Sequence, residues 1–260
     1  MVKYFFKMDN FECAPMPVKM RFDLETYAEK GYSVAETRKK EIESQLDIYP
    51  FPKNADEVDL SKVMKDWFPL GSCDIFLSHS HSDEKIAIAL SCYLKEVFGL
   101  KCFVDSCTWG YVETLLEKLD DEYCKDGNMY DYEKRNGTTA HVHIMLNSAL
   151  MKMMESSRSF IFIQTDNSLQ AQRKGVENWT YSSWIYSELS MSHVMYDMAR
   201  PKKIAESSGG QKILLESAKL PMGYSDVMTD HLKTISMMKL QIACKELKDT
   251  DRIFNSLNKD

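Results

Sequence analysis

Short apolar runs alternate with amphipathic segments in the middle of the chain. The apolar runs lie at residues 74–78, 102–105 and 159–164, and each has the length and composition of a strand that is buried on both faces. Between them, apolar residues recur at helical spacing over 86–97 and 142–153. Alternating strands and helices predict a parallel sheet that is covered by helices on both sides.

The pattern divides the chain into three regions. Residues 1–70 predict a mostly helical N-terminal extension, in which Ser33 and Glu36 form a capping box. Residues 71–220 predict the α/β domain, with a polar surface insertion at about 120–139. Residues 221–260 predict a C-terminal helical segment. The expected fold is therefore a flavodoxin-like three-layer domain with a central parallel sheet.

Two weaker strands complete this prediction. One is expected at residues 2–8, and a further one at either 202–206 or 212–215, of which the second has the better strand pattern. The segment 166–178 is polar and predicts a loop.

Composition narrows the class of protein. A hydrophobic content of 44% and a charged content of 28% are those of a folded globular chain. The net charge of −6 argues against a generally basic nucleic-acid binder. The longest apolar runs are only strand-length and the N-terminal run is broken early by charge, so neither a membrane span nor a signal peptide is expected. Seven scattered cysteines favour reduced thiols and a cytoplasmic protein.

One charged residue interrupts the apolar face of a predicted helix at 184–199. Glu188 lies in the middle of that face, one turn after Trp184. An ionised carboxylate that faces a core is unfavourable unless it is paired or lines a cavity. Glu188 is therefore either a structural or edge residue, or a carboxylate held beside an aromatic wall in a cleft, where working acids with perturbed pKa values are found. The helix pattern alone leaves both interpretations open.

Ligands of open parallel sheets bind at the carboxyl ends of the strands. The predicted strand ends carry polar and aromatic residues, namely His79, Ser80, Asp105, Trp109, Thr165 and Asp166. The pairs His79-x-His81 and His141-x-His143 lack a cysteine or carboxylate set that would complete a metal site, so no metal is expected. The chain also lacks a Gly-x-Gly-x-x-Gly or phosphate-loop motif, so no resident dinucleotide cofactor is expected.

Four motifs follow one another in a specific order. They are Asp-Ile-Phe-Leu-Ser-His-Ser at 74–80, Phe-Val-Asp at 103–105, Ser-Ser-Arg-Ser-Phe-Ile-Phe-Ile at 156–163, and Ser183-Trp184-x-x-x-Glu188-Leu189. Together, over residues 72–217, they resemble a Toll/interleukin-1 receptor (TIR) domain. Within that family the Trp-x-x-x-Glu helix marks members that cleave NAD+, so the resemblance implies Glu188 as the catalytic carboxylate.

The resemblance also implies substrates and partners. The chain looks most like bacterial antiphage TIR enzymes, such as those of Thoeris systems. This resemblance implies a cytoplasmic NAD+ glycohydrolase or ADP-ribosyl cyclase, for which NAD+ is a substrate and not a cofactor. It also implies that the protein self-associates and that its product signals to a downstream effector. From their positions at the strand ends and on the helix, the residues expected to bind the substrate are Trp184, Ser78, His79, Ser80, Asp105, Trp109 and Asp166. The short loop after Asp105 and the insertion at 120–139 depart from the family pattern.

The expected chemistry needs one carboxylate. Cleavage between nicotinamide and ribose passes through an oxocarbenium-like state, as in glycoside hydrolysis. The leaving ring is already cationic, so no general acid is required, and a carboxylate near the ribose stabilises the developing charge. Two alternatives remain open: a non-catalytic TIR-like scaffold, and a nucleoside deoxyribosyltransferase-like enzyme that would use nucleosides in place of NAD+.

Overall fold

The structure is a computed structural model that describes residues 3–47, 59–67, 71–105, 112–127, 129–173, 176–199, 223–225 and 227–259. Its strands are β1 (Tyr4–Asn10), β2 (Ile75–Ser78), β3 (Cys102–Val104), β4 (Lys125–Asp126), β5 (Met129–Tyr130), β6 (Ser159–Ile163), β7 (Gln170–Arg173), β8 (Val176–Trp179) and β9 (Lys233–Ser236). Five of them form one parallel sheet in the order β3-β2-β6-β1-β9. The other four form two antiparallel hairpins, β4–β5 and β7–β8. The predicted α/β class with a central parallel sheet is confirmed.

Helices cover both faces of the central sheet. They are α1 (Leu24–Asp47), α2 (Leu60–Trp67), α3 (Glu84–Phe98), α4 (Val112–Tyr123), α5 (Tyr132–Ser156), α6 (Ser183–Met198), α7 (Met237–Glu246) and α8 (Thr250–Lys259). One core joins the sheet to α1, α3, α7 and α8. A second core joins the other face of the sheet to α5 and α6. Helices α2 and α4 pack on α5 in a third core. The sheet is thus the middle layer of three.

The alternation of side chains along β2 decides which residue reaches α6. Ile75 and Leu77 lie in the core under α1 and α3, whereas Phe76 lies in the core under α6. Successive side chains of a strand point to opposite faces. Ser78 therefore points to the α6 side, at the carboxyl end of β2.

The predicted strands at 74–78, 102–105 and 159–164 are confirmed as β2, β3 and β6, each to within one residue. The segment at about 120–139, which the sequence predicts as an inserted surface loop, instead forms the end of α4, the β4–β5 hairpin and the start of α5. Asp131 caps α5, its Oδ1 accepting the backbone N–H of Lys134 at 3.0 Å. Polar composition here belongs to exposed helix and hairpin positions. The predicted loop at 166–178 likewise contains the β7–β8 hairpin.

The central sheet crosses both predicted boundaries of the α/β domain. The strand expected at 2–8 is β1, which is hydrogen-bonded to β6 on one side and to β9 on the other. Strand β9 comes from the C-terminal segment that the sequence predicts as helical. Residues from both termini are therefore structural parts of the sheet, in addition to carrying helices.

The first long helix begins earlier than its capping motif predicts. Helix α1 begins at Leu24, because Asp23 Oδ1 accepts the backbone N–H of Thr26 at 2.8 Å. Ser33 and Glu36 lie inside the helix, so the predicted capping box there is wrong. The interior glycine of this helix, Gly31, lies directly against α3.

The first three places of the sheet follow a flavodoxin-like strand order if counting begins at β2, and the last two places do not. In such sheets the order is 2-1-3-4-5, and here β3, β2 and β6 take the first three places. The fourth place is filled by the N-terminal strand β1 and the edge by β9. The strand expected at 202–206 or 212–215 lies outside the described residues.

Candidate active site

The start of helix α6 places a carboxyl group inside the protein. Ser182 caps the helix, its Oγ accepting the backbone N–H of Ile185 at 3.2 Å. One turn later, Glu188 faces the sheet and is only 2% exposed. Its neighbours Ile185 and Leu189 are buried in the core between α6 and the sheet. The predicted inward orientation of Glu188 is confirmed.

Glu188 is bound directly to the end of strand β2. The Ser78 hydroxyl donates a hydrogen bond to Glu188 Oε2 at 2.5 Å, and both side chains are buried. Burial raises the pKa of Glu188 well above its usual range, and the nearby charge of Asp105 raises the pKa further. The hydrogen bond from Ser78 favours the ionised form and opposes this rise in pKa. Burial is the largest of these effects, so the resting site favours the neutral carboxyl group.

Two further predicted residues join this pair. Asp105 follows β3 directly, and because Phe103 lies in the α6-side core, the strand alternation turns Asp105 to the same side. His79 follows β2 and is 7% exposed, with Nδ1 lying 3.4 Å from Asp105 Oδ1. The ends of β2 and β3 thus bring Ser78, His79 and Asp105 together near Glu188.

A second buried carboxylate connects the loops after β2 and β6. Asp83 is 3% exposed, and its Oδ2 accepts hydrogen bonds from Ser80 Oγ and Thr165 Oγ1, each at 2.5 Å. Asn167 Nδ2 donates to Asp83 Oδ1 at 2.9 Å. Asp83 precedes α3, but its side chain makes no capping hydrogen bond to that helix. Its carboxylate instead holds two loops at the carboxyl edge of the sheet.

The sequence patterns assign no site role to Asp83 or to Asn167. The spacing Ser80-x-x-Asp83 is the signal in the sequence, since residues three apart at a helix start often exchange hydrogen bonds. Nothing local connects either residue to the segment after β6. That connection depends on the pairing of β2 with β6.

Of the remaining predicted site residues, Trp184 and Asp166 belong to the described chain and Trp109 does not. Trp184 is half-buried and packs against both the α6-side core and the core of α4 and α5, with its ring 6.1 Å from that of His143. Asp166 is exposed in the turn after β6, and no hydrogen bond or ion pair among the described residues connects its carboxylate to Glu188. Trp109 lies outside the described residues.

In the described part of the chain, no group of three His, Cys, Asp or Glu side chains is arranged to hold a metal ion. A cavity of about 390 Å³ lies between α4 and α5, lined by Leu119, Tyr123, Lys134, Gly137, Thr138, His141 and Val142. It includes none of the residues around Glu188. No helix of the described chain is both long and apolar enough to cross a membrane.

The fold and the site define an α/β protein with a buried, hydrogen-bonded carboxyl group at the carboxyl edge of a parallel sheet. This edge is where open α/β sheets bind their ligands. Comparison of the chain with protein-family models, with curated proteins and with solved structures finds no match. The function is therefore inferred from this geometry and from the sequence motifs.

Proposed function

We propose that the protein cleaves the bond between nicotinamide and ribose in NAD+, with Glu188 as the catalytic carboxylate. The observation that supports this most directly is the hydrogen-bonded pair of Glu188 and Ser78, buried at the ligand-binding edge beside Asp105. A buried carboxyl group with a raised pKa and a specific charged neighbour is typical of catalytic sites. The TIR-like motifs supply the substrate class.

The chemistry depends on a change in the charge of Glu188. In the resting protein, burial favours its neutral form. The pyridinium ring of NAD+ is cationic, and a cation next to a carboxyl group favours ionisation. As the C–N bond breaks, its electron pair leaves with neutral nicotinamide and positive charge develops on the ribose. The ionised Glu188 stabilises that charge, and Ser78 holds the carboxylate in place.

The decisive experiment replaces Glu188 with glutamine. The amide keeps an oxygen that can accept the Ser78 hydrogen bond but cannot carry negative charge. Nicotinamide release from NAD+, followed by mass spectrometry at high protein concentration, should fall at least about 100-fold in Glu188→Gln. Glu155→Gln, on the exposed side of α5, is the matched control and should leave the rate unchanged. Full nicotinamide release by Glu188→Gln would exclude the proposed role.

The product mass identifies the acceptor. One added water indicates hydrolysis to ADP-ribose, whereas no added water indicates cyclisation. Free nucleosides tested in the same assay separate this proposal from a deoxyribosyltransferase-like activity, which would exchange bases on nucleosides and leave NAD+ intact.

The very low exposure of Glu188 favours a second candidate, a non-catalytic TIR-like scaffold in which the neutral carboxyl group is structural. A scaffold would show neither nicotinamide release nor a thermal shift with NAD+, in purified form or in lysate from phage-infected cells. Glu188-dependent release under either condition would exclude it.

The biological setting that we propose follows the TIR resemblance: a cytoplasmic antiphage enzyme that self-associates and whose ADP-ribose-derived product activates an effector. The six cysteines among the described residues are free thiols.

A further inference from the structure

Lys7 and Ser78 belong to one row of register partners that crosses the sheet from strand to strand. Strand β1 lies inside the sheet, and its Lys7 is in register with Phe162 of β6 and with Thr234 of β9. Phe162 is in turn in register with Ser78 of β2. Neighbouring strands are about 4.8 Å apart. The Cα atoms of Lys7 and Ser78 are therefore about 10 Å apart across the sheet.

The alternation of β1 places Lys7 on the Glu188 side. Tyr4, Phe6 and Met8 lie in the core under α1 and α3, whereas Phe5 lies in the core under α6. Lys7 is two residues after Phe5 and shares its side of the sheet. Its register partner Phe162 also belongs to the α6-side core. Lys7 and Ser78 thus point to one side of the sheet at its carboxyl edge.

A lysine is unusual at this position. Charged side chains are rarely buried without a partner, and Lys7 is half-buried in a strand that is paired on both sides. Among the described residues, no ion pair or side-chain hydrogen bond engages its ammonium group. The acidic residues near this edge are Glu188, Asp105, Asp83 and Asp166, and Asp9 follows Lys7 on β1 itself. An anionic group that bound here would be repelled by those carboxylates and attracted by Lys7.

We propose that Lys7 binds the diphosphate of the dinucleotide substrate. This inference rests on the proposed function, because it assigns the anionic part of NAD+ to a second point of the same site. In NAD+ the cationic nicotinamide and the anionic diphosphate lie on opposite sides of one ribose. The carboxyl group of Glu188, next to Ser78, and the ammonium group of Lys7, two strands away in the same row, are complementary to these two charges.

The test compares two substrates that differ in the diphosphate. NAD+ carries it, whereas nicotinamide riboside has the same scissile bond and no phosphate. Lys7→Met keeps the length of the side chain and removes its charge, and should raise KM for NAD+ about tenfold or more. It should leave KM for nicotinamide riboside unchanged, and Lys7→Arg should restore the KM for NAD+. An equal rise in KM for both substrates would overturn the assignment.

Lys3 provides the matched control. It is exposed, precedes β1 at the amino edge of the sheet, and occupies the same alternation as Phe5 and Lys7. Lys3→Met removes the same charge from the protein and should change neither KM. A rise in KM for NAD+ equal to that of Lys7→Met would show a general charge effect and would overturn the proposal.

Binding of ADP-ribose, measured by calorimetry on the full chain, separates the two proposals because it needs no turnover. Lys7→Met should weaken this binding about tenfold or more, while its urea unfolding curve shows that the variant is folded. If ADP-ribose binding depends on Lys7 but the protein releases no nicotinamide, the role of Lys7 is supported and the proposed activity is contradicted. Nicotinamide release with binding that is indifferent to Lys7, or a wild-type protein that does not bind ADP-ribose, would overturn the inference.

Discussion

Glu188→Gln should make the protein more stable at neutral pH while removing its activity. Burial and the charge of Asp105 raise the pKa of Glu188 in the folded protein, whereas an unfolded chain holds a glutamate near its ordinary value of about 4.3. Below that value both states are protonated and the contribution of Glu188 is fully favourable. As pH rises towards the folded pKa, the unfolded state alone releases its proton, so stability is progressively lost.

The size of the effect follows from a single proton. The free energy of unfolding changes by at most about 1.4 kcal/mol per pH unit for one group. The difference in the free energy of unfolding between Glu188→Gln and the wild type should therefore widen by no more than this slope as pH rises from the unfolded value towards the folded pKa. Above the folded pKa the difference stays constant. Glutamine at 188 has no carboxyl proton to release, and it retains an acceptor for the Ser78 hydroxyl.

Urea unfolding at pH steps from 4 to 8 measures this difference directly, because all other titrating groups are present in both proteins. Glu155→Gln, exposed on α5, should give a curve parallel to the wild type. The reasoning is refuted if the curves of Glu188→Gln and the wild type stay parallel over this range. If the free energies of unfolding of the two proteins agree at pH 4 and differ at pH 7, the carboxyl group of Glu188 lowers the stability of the wild type, as is common at functional sites.

Two further predictions concern packing and acid stability. A Cβ at Gly31 would lie 2.4 Å from Ile88 Cγ2, so Gly31→Ala should lower the free energy of unfolding, measured in urea, despite the better helix propensity of alanine. Gly137→Ala, with nothing within 4 Å of the added Cβ, should raise the free energy of unfolding by about 0.5–1 kcal/mol. Burial lowers the pKa of His231 to about 4. Its contribution to stability is therefore present above the unfolded value of about 6.5 and is lost as pH falls towards 4. In the same unfolding assay, His231→Gln should lose less stability between about pH 6.5 and about pH 4 than the wild type does. An equal loss in both proteins would contradict the lowered pKa of His231.

The parts of the fold that were predictable are those that local patterns decide. The strands β2, β3 and β6 are short runs buried on both faces, and the buried face of α6 places Glu188 between Ile185 and Leu189. The start of α1 was not predictable from Ser33 and Glu36, because Asp23 caps the helix earlier. The edge strand β9 buries Ile235 among more exposed neighbours, so its sequence carries no strand alternation strong enough to detect.

The site was only half predictable for the same reason. Sequence motifs indicate Glu188 and the strand ends, because each lies within a single local pattern. They do not connect Asp83 to Thr165, since that contact depends on two loops being neighbours in space. They also do not place Lys7 beside the site. Contacts between residues distant in sequence follow from strand order, which short motifs do not encode.

The position of β1 in the sheet is what changes the interpretation of the N-terminal region. If residues 1–70 were a helical extension, Lys7 would be a surface charge with no bearing on Glu188. Because β1 is paired with both β6 and β9, Lys7 instead shares a row with Ser78, the residue that donates a hydrogen bond to Glu188. The strand β1 thus has two roles. Its apolar residues contribute to the cores on both faces of the sheet, and its only cation, Lys7, lies at an edge whose acidic residues include Glu188 and Asp105. An acidic edge alone suits a cationic ring, whereas an acidic edge with one lysine suits a dinucleotide that carries both charges.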